Sequence, residues 1–264
     1  MSLALQSFTK IDDAAAALAE PGARYLGGGT LVVRATNEGD AGISRFVRVT
    51  DPSLSAIQVV GGKARIGASA TMNAIARHPE LGAVAAAARA VGGPAIRNMA
   101  TIGGNLFAPA PYGDFAVALL ALEATVERAG GQVPIELFLA DRERGSGIVS
   151  AVAFDLPPGN SFRFLKVARI KPKGVSVVSI AAMLGEAPDG TITSARIALG
   201  CMADRPVRAR AAEAALVGRS RTAEGIAPAL AVAAEGATPV TDAIASAWYR
   251  AAVLPVHLGR LLLS

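Results

Sequence analysis

Apolar and polar positions in the first fifty residues switch between two periods. Ile11 to Leu18 carries helical spacing, Ala23 to Leu26 and Phe46 to Thr50 read as short strands, and Leu31 to Thr36 reads as a second helix. Short strands alternating with helices predict a small parallel unit. Ile57 to Val60 and Ala64 to Gly67 then alternate around Gly61 and Gly62, a pair suited to a tight hairpin turn. A helix starts at Met72, and Pro79 can open another over Glu80 to Ala90, closed by Gly92 and Gly93. Asp114 is placed to cap an apolar helix from Phe115 to Leu122. Thr125 to Ile135 reads as two strands around Gly130 and Gly131, and Ile148 to Phe154 as one more.

Leu156 to Asn160, with two prolines and a glycine, reads as a hinge. It divides the chain into an expected first domain over 1–157 and a second over 161–264. In the second, Phe162 to Ala168, Val175 to Leu184 and Ile192 to Leu199 alternate as strands. Helices are expected from Pro206 to Leu216, Ala223 to Ala234 and Ile244 to about Leu262. The fold class is therefore α+β, ending in a three-stranded antiparallel sheet with helices packed on it.

Composition narrows the function classes. With 52% hydrophobic and 18% charged residues among 264, the chain can bury a large core and is not a disordered segment. Charge or glycine cuts every apolar run before the roughly 20 residues that cross a bilayer, so no membrane span is expected. The N-terminus lacks a basic start followed by an apolar stretch, which points to the cytoplasm. One cysteine, Cys201, excludes an internal disulfide and an iron-sulfur cluster held by this chain alone, since such clusters take about four thiolates. The net charge of +5 is spread thinly. Its densest group, Arg163, Lys166, Arg169, Lys171 and Lys173, alternates with apolar residues, so a nucleic-acid surface is not expected.

Two glycine loops carry candidate chemistry: Leu26, Gly27, Gly28, Gly29 and Thr30 after a strand, and Thr101, Ile102, Gly103, Gly104 and Asn105 ahead of a helix. A pyrophosphate needs several convergent N–H donors, and glycine lets backbone approach it with no Cβ in the way. Glycine pairs are more often plain turns, which is how Gly61-Gly62 and Gly130-Gly131 read. No Ser/His/Asp order, metal-ligand spacing, Walker loop or GxGxxG after a strand is found.

The run Ile96-Arg97-Asn98-Met99-Ala100-Thr101-Ile102-Gly103-Gly104-Asn105-Leu106, followed by Pro109, Pro111 and Asp114, resembles the FAD-binding signature of the molybdenum hydroxylase flavoproteins, the xanthine dehydrogenase and carbon monoxide dehydrogenase type. The first loop is similar to that family's earlier signature, with Leu31 where an aspartate is usual. Phe164 to Arg169, Ala195 to Gly200, Pro206 to Ala209 and Ala247 to Arg250 are similar to its C-terminal domain.

The resemblance implies a vanillyl-alcohol-oxidase-type FAD-binding domain of two α/β subdomains, then the C-terminal domain. It implies noncovalent FAD, with Gly27 to Leu31 and Thr101 to Asn105 around the pyrophosphate and hydroxyls from Thr30 and Thr101. Asp114 would accept hydrogen bonds at the cofactor, Val149 would pack on the flavin ring, and Lys166 would lie near the ring's polar edge. It further implies an electron-transfer subunit beside a large molybdenum-pterin subunit and a small iron-sulfur subunit, as a dimer of heterotrimers. A free-standing flavin reductase similar to enolpyruvyl-UDP-GlcNAc reductase, and a nucleotide-binding module without redox work, are the alternatives.

Overall fold

A computed structural model of the protein describes residues 3–142, 147–170 and 174–264. Lys171 and Lys173 of the basic group lie outside the described residues. The first sheet joins β1 (Ala4–Phe8), β2 (Ala23–Tyr25) and β3 (Arg45–Val49) in the order β1-β3-β2, all parallel, with α1 (Ile11–Leu18) and α2 (Val32–Asn37) as its helices. The expected parallel unit is there. β1 shows no clear alternation in its burial, which is why the sequence pattern does not announce it.

A five-stranded antiparallel sheet follows, ordered β4-β5-β8-β6-β7, from β4 (Ile57–Val60), β5 (Lys63–Gly67), β6 (Thr125–Arg128), β7 (Gly131–Pro134) and β8 (Val149–Asp155). The two hairpins stand where the glycine pairs predict them, with Gly61 and Gly62 at φ 58 and 77. β8 inserts between them, a pairing set by tertiary packing rather than by neighbours in sequence. Between β5 and β6 run α3 (Met72–Arg77), α4 (Gly82–Ala90), α5 (Pro94–Met99), α6 (Ile102–Leu106) and α7 (Asp114–Ala121). α8 (Ile135–Asp141) follows β7. All eight residues of α7 are buried, so this helix is the centre of the molecule's largest apolar cluster. His78 Nδ1 accepts from Glu80 N at 3.4 Å as a short 3-10 turn begins.

The C-terminal sheet has four strands, not three. β9 (Phe162–Ala168), β10 (Ser176–Glu186) and β11 (Ile192–Gly200) are joined by a two-residue β12 (Val207–Arg208), in the order β12-β11-β10-β9. Two residues carry no readable period, and Val207 and Arg208, expected at the start of a helix, precede one that begins only at Arg210. α9 (Arg210–Leu216), α10 (Ala223–Ala231) and α11 (Ala247–Leu263) cover one face of the sheet. The other face packs on the central core through Ala181 and Ala198, with Phe162, Phe164 and Met183 beside them. No helix among the described residues is long and apolar enough to cross a membrane.

Where the two parts meet, the charges are polarised: Lys166, Arg196, Arg208 and Arg210 of the second part face Asp114, Glu123, Glu123 and Glu136 of the first.

Candidate functional site

The first glycine loop begins where β2 leaves its sheet, after Leu26 N donates to Val47 O at 2.7 Å. Its shape is dictated by the second loop. A Cβ on Gly28 would collide with the Met99 carbonyl, and one on Gly27 would lie 3.0 Å from the Thr101 hydroxyl. The two loops therefore touch backbone to backbone, an approach that only glycine permits at position 28. Gly29 adds φ +73, which turns the chain into α2.

The loops divide the work unequally. In the second, Ile102 N donates to Ala70 O at 3.0 Å, Gly103 N to Ala68 O at 2.9 Å, and Gly104 N to the Thr101 hydroxyl at 3.1 Å. Asn105 N donates to Thr101 O at 3.0 Å, so these donors are spent inside the protein. In the first loop, the N–H groups of Gly27, Gly28, Gly29, Thr30 and Leu31 donate to no protein acceptor among the described residues. Consecutive N–H groups without internal partners are available to an anion. The second loop supplies its floor. Gly104 is exposed, its φ lies outside the left-handed region, and a Cβ there would meet only the Thr101 hydroxyl at 3.1 Å. Neither backbone strain nor internal packing requires glycine at 104, so the space a side chain would fill is open to a ligand.

The other expected site residues fall in different places. Ile102 is fully buried and anchors α6 in the core, and Val149 is 3% exposed within the same apolar cluster. Asn105 is buried, and its Oδ1 accepts from Ala116 N at 2.9 Å, so this side chain caps α7. The sequence points to Asp114 for that role. The structure corrects it: α7 starts at Asp114, its N-cap is Gly113 at φ 90, and the Asp114 side chain makes no cap bond.

Asp114 instead closes a buried cluster. Its Oδ2 accepts from Lys166 Nζ at 2.8 Å and its Oδ1 from the Ser176 hydroxyl at 2.5 Å. The Lys166 ammonium also donates to Ala90 O at 2.8 Å, at the end of α4. Side-chain exposures of 11% for Lys166 and 7% for Asp114 leave the pair largely out of water. An ammonium has three donors, and two are committed here. Sequence reasoning misses Ser176, though a serine at a fully buried position of an apolar strand is the signal by which to find it. It also misses Arg142, which is buried and donates to Leu106 O at 2.9 Å and Ala108 O at 3.1 Å, holding the chain that leaves the second loop.

Cys201 lies beside this cluster at φ 65, its Sγ 3.5 Å from Ser176 O. Burial pushes its thiol up to about 12, and the negative charge of Asp114 adds to the shift. Native protein in mildly alkaline buffer is therefore expected to resist alkylation at Cys201, and unfolded protein to react at once. Equal labelling rates in the two states would contradict this placement.

Residues 2–154 match the family described as FAD binding domain in molybdopterin dehydrogenase, and residues 163–264 match the CO dehydrogenase flavoprotein C-terminal domain. The nicotinate dehydrogenase FAD-subunit of Eubacterium barkeri is 32% identical over 187 residues, which cover 65% of this chain and 63% of that protein. The xanthine dehydrogenase FAD-binding subunit of Escherichia coli O157:H7 is 32% identical over 220 residues, covering 73% of this chain and 71% of the relative. A chain of the carbon monoxide dehydrogenase structure from Hydrogenophaga pseudoflava superposes with a TM-score of 0.90 at 25% identity, over 99% of this chain and 96% of that one. With its N-terminal half carrying paired glycine loops and its C-terminal sheet packed against their support, the chain belongs to the FAD-binding flavoprotein family of the molybdopterin dehydrogenases.

Proposed function

We propose that this chain holds FAD noncovalently, its pyrophosphate on the N–H groups of Gly27 to Leu31 and above Gly104, and serves as the electron-transfer subunit of a molybdenum hydroxylase complex. The observation that carries the reading is the run of unclaimed N–H donors facing a glycine whose side-chain space is open. Bound flavin supplies the redox chemistry, taking electrons singly and releasing them as a pair.

The chain's own residues bind and orient. The first loop donates its N–H groups to the pyrophosphate, and the Thr101 hydroxyl, whose oxygen accepts from Gly104 N, keeps its hydrogen to donate. Leu31 contributes backbone only, where a carboxylate would have added an acceptor. Lys166 is held by Ala90 O and Asp114, so its third N–H is the one left for the polar edge of the flavin. Asp114 acts on the cofactor through Lys166, because both its oxygens are engaged inside the protein. Val149 and Ile102 support the site from the core rather than line it.

The partners follow from the chain's needs. One cysteine cannot ligate an iron-sulfur cluster, so the electron relay belongs to a small iron-sulfur subunit and substrate oxidation to a large molybdenum-pterin subunit. Two such heterotrimers pair, in the cytoplasm.

Purified alone, the chain is expected to carry one FAD that acid releases completely, with no iron, and to show no bleaching by organic substrates. Flavin that stays with the denatured chain would contradict noncovalent binding. Rapid bleaching by an organic substrate would replace the subunit role with a free-standing reductase.

A further inference from the structure

The edge of the C-terminal sheet presents a second binding surface, unrelated to the glycine loops. β9 pairs only with β10, in an antiparallel register that runs unbroken from Phe162 opposite Met183 to Val167 opposite Val178. Leu184 N donates to Ser161 O, which makes Ser161 a hydrogen-bonded position. Antiparallel ladders alternate, so Arg163, Leu165 and Val167 direct their backbone groups at β10, while Phe162, Phe164 and Lys166 direct theirs outward. Those outward N–H and C=O groups have no backbone partner among the described residues.

They open on a groove of about 290 Å3 between β9 and the last turns of α11, lined by Phe164, Leu165, Lys166, Val167, His257, Arg260, Leu261 and Ser264. Its walls are apolar and its rim is cationic. Arg260 is exposed and makes no ion pair among the described residues. Arg163 lies next to this rim, donating to Ser264 O at 3.2 Å. Burial lowers the pKa of Arg163, as does the like charge of Arg221, with Glu186 opposing. Glu186 is already engaged by Arg221 at 2.7 Å, and Lys166 by Asp114, so among the described residues no ion pair neutralises Arg260.

From the outward-facing backbone groups of β9 beside a cationic apolar groove, we infer that this edge takes up an extended acidic segment of a partner chain as an added strand. Main-chain hydrogen bonds to Phe164 and Lys166 give such a site its affinity, and acidic side chains of the segment meet Arg260. The free edge is otherwise a template for uncontrolled pairing, which a dedicated occupant suppresses.

The probe is the peptide acetyl-Glu-Val-Thr-Val-Glu-amide, added at millimolar concentration to the full flavoprotein and followed by amide hydrogen exchange. The backbone amides of Phe164 and Lys166 should exchange at least about tenfold more slowly with peptide bound. A version methylated on alternate backbone nitrogens, a Lys-for-Glu version, and the Arg260→Glu protein should each lose that protection. Absence of protection, or equal protection by the methylated or basic peptides, overturns the inference. So does protection of the same amides by the protein's own concentration-dependent dimerisation, which would make the occupant a second copy. FAD content is measured alongside; the groove shares Lys166 with the proposed flavin edge, but the pyrophosphate donors of Gly27 to Leu31 lie elsewhere, so failure here leaves the FAD assignment standing.

Discussion

Replacing Gly104 with valine strips FAD from the protein while leaving the fold intact. The substituted position is in α6, without positive φ, and glycine is a poorer helix former than valine by a few tenths of a kcal/mol, so no backbone penalty is expected. The new Cβ meets only the Thr101 hydroxyl at 3.1 Å, which a small rotation relieves. Its methyl groups, however, fill the space assigned to the pyrophosphate above the first loop. The Kd for FAD should rise at least about 100-fold, roughly 2.7 kcal/mol, with an unchanged circular dichroism spectrum. Gly61→Val is the matched comparison. Gly61 sits at φ +58, and a Cβ there would have nothing within 4 Å, so valine strains a hairpin turn and touches nothing else. That variant should keep its FAD and lose about 1–2 kcal/mol of stability. Flavin retained at the parent level in Gly104→Val would remove this glycine from the site.

Asp114→Ala should be among the most destabilising single changes in the chain. It leaves the Lys166 ammonium largely buried with one carbonyl for company, and the Ser176 hydroxyl without its acceptor. Breaking a buried ion pair from one side costs about 3–5 kcal/mol. Because Lys166 belongs to β9 and Asp114 to α7, the loss also loosens the packing of the C-terminal sheet on the central core. Converting both partners, Asp114→Leu with Lys166→Met, removes the stranded charge and should recover most of that stability. The double variant would still have altered flavin chemistry, since the positive charge near the ring is gone. Denaturant unfolding distinguishes these cases: a single variant within about 1 kcal/mol of the parent would show that the pair is not the buried contact described here.

Lys166→Ala takes on a different meaning in this setting. Taken as a lone charge near the ring, its loss should only make flavin reduction less favourable. Paired as it is, its removal also exposes the flavin to an uncompensated Asp114 carboxylate, so the reduction potential should fall further and stability should drop with it.

How much of this is legible in the sequence follows from which residues act locally. The hairpins at Gly61-Gly62 and Gly130-Gly131 can be read because two residues decide a tight turn. The close approach of the first glycine loop can be read because position 28 tolerates no side chain. What cannot be read depends on distant partners. Asp114 satisfies every local rule for an N-cap, yet Ser176 and Lys166, more than fifty residues away along the chain, claim its carboxylate, and Asn105 takes over the cap. The expectation that both loops donate N–H groups fails for the same reason: Ala68 and Ala70 consume those of Ile102 and Gly103. β12 escapes notice because two residues have no periodicity, and its pairing with β11 is visible only in three dimensions.

The most direct test of the account is a crystal structure of the protein with FAD. It should place the pyrophosphate oxygens within hydrogen-bond reach of the backbone N–H groups of Gly27 to Leu31, over Cα of Gly104, with the flavin's polar edge toward Lys166. A pyrophosphate held elsewhere, or N–H groups of the first loop left unbonded while FAD is present, would contradict it.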